Sequence, residues 1–157
     1  MTIINPFAII NEHRERAPVE IKEILKKLGI VVREVDFDRS ISGSIEKSDD
    51  GTFIISVNSA DSLTRKRFTM AHELGHYILH RDKIGNGITD NRLYRASNAN
   101  YYIGNKEETQ ANQFAANLLM PKELIESLRL KGYTEPADLA ALLLVSLQAL
   151  TIRLSVL

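Results

Sequence analysis

Apolar residues recur at helical spacing along most of this chain and alternate with polar ones in one stretch, dividing it into a helical start, a short sheet and a longer helical remainder. Pro6 to about Arg14 reads as a short helix with Asn5 as its cap and Pro6 in the first turn, where a missing N–H costs nothing. Pro18 opens a second helix with the stripe Ile21, Ile24, Leu25 and Leu28, and Gly29 closes it. Ile30 to Phe37, Ser40 to Lys47 and Thr52 to Val57 interleave Val and Ile with polar residues and read as strands. The last two are joined through Asp49-Asp50-Gly51, a hairpin turn in which glycine supplies the positive φ. The expected front half is therefore two helices followed by a small, mostly antiparallel sheet.

Asp61 or Ser62 caps a long helix whose apolar side is Leu63, Phe68, Ala71, Leu74, Ile78 and Leu79, while Arg65, Lys66 and Arg67 are expected to point outward. From Arg81 to Asn105 the periodicity stops, and glycines and asparagines predict a long irregular segment that carries Tyr94, Tyr101 and Tyr102. Helical spacing resumes at Lys106, with Ala111, Phe114, Ala115, Leu118 and Leu119 on one face until Pro121. Lys122 to Lys131, ended by Gly132, is a further short helix. The tail from Thr134, with Pro136 in a first turn and a break near Val145-Ser146, predicts two more.

Composition narrows the class. The 157 residues suit one domain, and 44% hydrophobic with 25% charged residues is ordinary globular composition. We expect residues 1–130 to form its main body and 131–157 a helical tail of the same domain. Twenty basic residues balance 20 acidic ones, so no overall field favours nucleic acid or an anionic membrane. No apolar run is long enough to span a bilayer, and a cytoplasmic protein is expected. There is no cysteine, which leaves histidine and carboxylate as the strong ligands for a transition metal.

Those ligand types meet in His72-Glu73-Leu74-Gly75-His76. Residues four apart lie one turn above each other on a helix, so His72 and His76 can face one ion. Glu73 sits about 100° round the helix from His72, where it can act on a metal-bound water without being a ligand. Gly75 removes a side chain beside the histidines and would let another element approach closely. The competing reading is a surface helix that happens to carry two histidines. Hydrolytic zinc sites take a third protein ligand, for which three residues compete. Asp82 follows His76 by six residues but lacks a glycine midway to turn the chain, that position being Leu79. His80 is another turn up the same helix. Glu108, on a separate helix with Asn112 on the same face as a partner for a ligand histidine, is favoured over both, with Glu107 as its nearest rival in register and an Asn105–Glu108 capping box as its alternative role.

The blocks Arg67-Phe68-Thr69-Met70-Ala71-His72-Glu73-Leu74-Gly75-His76-Tyr77-Ile78-Leu79-His80 and Glu108-Thr109-Gln110-Ala111-Asn112-Gln113-Phe114-Ala115-Ala116-Asn117-Leu118-Leu119-Met120-Pro121 resemble the ImmA/IrrE family of metallopeptidases, over residues 5 to about 125. Ile41-Ser42-Gly43 and Ile54 to Asn58 resemble that family's hairpin before its active-site helix. The resemblance implies a zincin-like α+β fold, a small sheet packed against helices with a helical C-terminal tail. It implies zinc held by His72, His76 and Glu108, with Glu73 as the catalytic carboxylate. It further implies an endopeptidase that cleaves a helix-turn-helix repressor, an anti-repressor of prophage or stress-response type. Two departures stand out: Gln110 occupies a position where many relatives carry a second glutamate, and the longer regulatory domain that some relatives carry after this point is not expected.

Two other classes compete with a repressor-cleaving enzyme. One is a toxin, or a repressor-binding module of a toxin-antitoxin-like pair, with little or no proteolysis. The other is DNA binding through the tail, where Asp138 to Leu154 loosely resembles a helix-turn-helix. Its second helix offers only Arg153 as a cation, too few for phosphate contacts to supply affinity, so direct nucleic-acid binding is not expected.

Overall fold

The computed structural model describes residues 5–85, 87–91 and 106–157. Helix α1 spans Pro6–Glu12, and its cap is the expected one, with Asn5 Oδ1 accepting from the Phe7 N–H at 3.0 Å. Helix α2 spans Ile21–Lys27, starting later than Pro18 suggested. Val19 is instead non-helical and fully buried, and its carbonyl faces inward to accept from Arg67.

Strands β1 (Val31–Val35), β2 (Ile41–Lys47), β3 (Phe53–Asn58) and β4 (Ile88–Asn91) form a sheet in the order β1-β3-β2-β4. β2 pairs antiparallel with both β3 and β4, whereas β1 runs parallel to β3. The hairpin thus inserts its second strand beside the first strand of the chain. Its turn is made as expected, with Gly51 at φ 90° and Ser48 and Asp50 closing the loop onto Thr52. β4 and the one-turn helix α4 (Arg81–Ile84) fall inside the segment expected to be irregular. Each is four residues long, too short to print a period. Tyr94, Tyr101, Tyr102 and Asn105 lie outside the described residues.

Helix α3, Leu63–Leu79, is the axis of the fold. Ser62 caps it through its hydroxyl, accepting from the Arg65 N–H at 3.3 Å. It packs on β2 and β3 and against α5, Lys106–Leu119. Both contacts are close because glycine allows them. A Cβ on Gly43 of β2 would sit 2.5 Å from Thr69 Cγ2, and one on Gly75 would sit 3.1 Å from Ala111 Cα of α5. The second contact is the close approach that Gly75 led us to expect.

Arg67 departs from expectation. It is 8% exposed and points inward, donating from Nη2 to the carbonyl of Val19 at 2.8 Å and from Nε to that of Leu144 at 3.1 Å. Burial pulls its guanidinium below its ordinary pKa. Its partners come from the two ends of the chain, so it ties α3 to both.

Helix α6 spans Lys122–Leu130, α7 Pro136–Leu143 and α8 Leu147–Val156. Gly132, at φ 104°, ends the first, and the Ser146 hydroxyl caps the last by accepting from Ala149 N–H at 3.0 Å. Leu139, Leu143, Val145 and Leu150 are buried in the same apolar cluster as Ile24, Ile55, Leu74 and Leu119. The tail therefore shares the core of the sheet and α3. Among the described residues no single helix is long and apolar enough to cross a membrane.

Candidate metal centre

The second half of α3 presents His72 and His76 one turn apart, with ring centroids 4.8 Å apart and nearly perpendicular. Because Gly75 lets α5 approach, Glu108 in the first turn of α5 lies between the two rings. Its Oε2 is 3.0 Å from His72 Nε2 and its Oε1 is 2.9 Å from His76 Nε2. All three residues are buried, and their ligand atoms lie within 4.8 Å of one another. They are a group that could hold a metal ion.

The donor chemistry fits that use. Asn112, one turn along α5 from Glu108, places its Oδ1 2.8 Å from His72 Nδ1. A carbonyl oxygen only accepts, so this contact places a proton on Nδ1 and leaves Nε2, the nitrogen that faces Glu108, as the atom that could serve a metal. Two nitrogen ligands and a carboxylate are a known catalytic zinc set, and ligands about 2.0–2.1 Å from one tetrahedral ion stand roughly 3.3 Å apart. The observed 2.9 and 3.0 Å are close to that separation. Glu73 is fully buried as well, so the cluster contains two carboxylates away from water. Buried carboxylates are stabilised by a cationic partner, and a divalent ion is one that suits this donor set.

The rivals for the third position go elsewhere. Glu107 is turned to Lys83, whose ammonium pairs with it and lowers the carboxyl pKa. Asp82 is exposed on α4. His80 does not join the three donors but is buried behind them, its Nδ1 3.0 Å from His76 Nδ1 and its Nε2 2.7 Å from Gln110 Oε1. The sequence reading missed this role, although the spacing of His80 from His76 and the place of Gln110 one turn from Glu107 hold its signal.

Comparison with known proteins agrees with the geometry. The family model described as Peptidase_M78, IrrE N-terminal-like domain, matches residues 25–155. The chain belongs to this family. The M78 match runs on through α7 and nearly all of α8, past about residue 125 where the resemblance was expected to end, consistent with the tail sharing the core. None of the curated proteins matches the chain. Among solved structures, a Mycobacterium tuberculosis transcriptional regulator aligns over 96% of this M78 chain with a TM-score of 0.64 at 16% identity. At that identity the likeness shows the fold. The chain spans 46% of that regulator's length.

Proposed function

We propose that this M78 domain is a zinc-dependent endopeptidase whose substrate is a helix-turn-helix transcriptional repressor. The observation that carries the reading is the convergence of His72, His76 and Glu108, from two helices, beside the buried carboxylate of Glu73. Membership of a peptidase family supports hydrolysis, and the likeness to a transcriptional regulator supports a substrate from transcriptional control.

Zinc, when bound, supplies Lewis acidity and brings the pKa of a water to about 7. His72 and His76 would offer their Nε2 lone pairs, and Glu108 its carboxylate, as the three protein ligands. Asn112 holds the His72 ring and fixes which nitrogen carries its proton. Glu73 serves as general base, taking a proton from the water that attacks the peptide carbonyl, and then as general acid, giving that proton to the amine as the C–N bond breaks. Its burial removes competing solvent, so the proton it takes is delivered to the leaving group. Arg153, the cation of α8, donates to the Met120 carbonyl at 2.9 Å, which supports reading the tail as a packing element rather than as a phosphate-binding one.

The test is incubation of the chain with helix-turn-helix repressors from the same genome, with and without a chelator, followed by mass determination. Two fragments that sum to the intact repressor plus water, and vanish with chelator, are expected. An intact repressor under every metal condition would overturn the reading.

A further inference from the structure

The two histidines of the centre are supported differently. His72 rests directly on an amide, Asn112, whereas His76 rests on a second histidine that itself rests on an amide. The proton positions along this second path follow from its far end. Gln110 Oε1 can only accept, so the 2.7 Å contact requires the proton on His80 Nε2. A neutral imidazole protonated there has its lone pair on Nδ1, and at 3.0 Å that atom accepts from His76 Nδ1–H. The remaining nitrogen of His76, Nε2, is then the lone-pair atom, directed at the position shared with His72 and Glu108.

We propose that His80 and Gln110 are positioning residues that fix the tautomer and the ring plane of His76. The inference rests on the metal reading given above and adds to it a path that the ligand triad does not contain. Two features of the path make it an orienting device. His80 is 7% exposed, so water does not compete for its Nδ1. The path also ends on an acceptor oxygen, so it holds His80 in one tautomer. Gln110 lies on α5 two residues after Glu108, which makes one helix responsible both for a ligand and for aligning a ligand of its neighbour. Partners of this kind are worth about 10- to 100-fold in metal affinity when removed.

Long-range proton–nitrogen correlation spectra of the nitrogen-15-labelled, zinc-loaded protein read the tautomers directly. The expected result is His76 protonated at Nδ1 and His80 at Nε2; a His80 protonated at Nδ1 instead would overturn the proposal. Zinc affinity, measured by competition with a chromogenic chelator, gives an independent readout. His80→Phe keeps a buried ring but no nitrogen and should weaken binding by about 10- to 100-fold, and Gln110→Leu by about 10-fold. Gln110→Glu keeps an acceptor oxygen and should stay within about threefold of wild type, a rescue that loss of packing alone would not give. If His80→Phe binds zinc as tightly as a tight-binding wild type, this proposal fails alone. If the wild type takes no zinc, the metal reading fails and carries this one with it. Should His80→Phe not fold, which melting of the metal-free protein would reveal, the tautomers of the wild type decide the matter.

Discussion

The two halves of α3 bury polar groups in opposite ways. In the first half a single cation, Arg67, is surrounded by acceptors that belong to the backbone, the carbonyls of Val19, Leu143 and Leu144. In the second half His72 and His76 bring their Nε2 atoms to about 3 Å from the Glu108 carboxylate, beside a second buried carboxylate. The first arrangement is complete within the protein, since donor meets acceptor. The second gathers two imidazole nitrogens and a carboxylate that could hold a metal ion, which is why it reads as a site and the first as a fastening. Burial of charge therefore does not by itself mark function; the sign of the groups that face it does.

Substitutions can break this contrast, and they should do so in a definite order of size. The largest effect is expected at Glu73→Gln, which preserves shape and the three ligand residues but removes the base. Repressor cleavage should fall by about 10²- to 10⁴-fold with zinc content, read by atomic absorption, unchanged. Cleavage at the native rate would remove Glu73 from the mechanism. Next comes Glu108→Ala, expected to weaken zinc binding by more than about 100-fold, since loss of a ligand must exceed loss of a supporting partner. Glu107→Ala, in the same turn but paired to Lys83, should leave that affinity where it was.

On the other half of the helix, Arg67→Met should act on stability and not on zinc affinity per folded molecule. Three carbonyls would lose a buried donor, at a cost of about 2–4 kcal/mol in denaturant unfolding. A variant as stable as wild type would show that the fastening is decorative. The smallest effect is expected at Gly75→Ala. The added methyl would meet Ala111 Cα at 3.1 Å and Phe114 Cδ1 at 3.2 Å, and overpacking of this size costs about 1 kcal/mol, offset in part by the better helix propensity of alanine. Its more telling readout is zinc affinity, because pushing α5 away moves Glu108 from the two histidines.

What could be read from sequence follows the range of the forces involved. The caps Asn5 and Ser62, the turn at Gly51, the helical stripes of α2 and α5 and the pair His72 and His76 are all local, and the structure contains each of them; the α3 stripe holds at Phe68, Ala71, Leu74 and Ile78, while Leu63 and Leu79 at the helix ends are exposed. Glu108 is distant in sequence from the histidines, but its helix and the face it shares with Asn112 could be reasoned out. Arg67 could not. A buried arginine is exceptional, and its acceptors are backbone groups 48, 76 and 77 residues away, which no side-chain pattern encodes. The same holds for His80, whose function depends on an amide 30 residues later, and for β1, which pairs with β3 in preference to its neighbour in the chain. The short pieces α4 and β4 escaped for want of length.

Gly75 has one more consequence. Where two helices meet through side chains, their spacing can breathe as rotamers change; where they meet through backbone, as α3 and α5 do at Gly75 and Ala111, the spacing is set by atoms that have no rotamers. The three donors are therefore gauged before any ion arrives, and the ordering entropy of the site is already spent in folding. Such a protein should behave unlike a small zinc domain that collapses when stripped. Chelation should leave it folded, an empty vise still set to the width of its work.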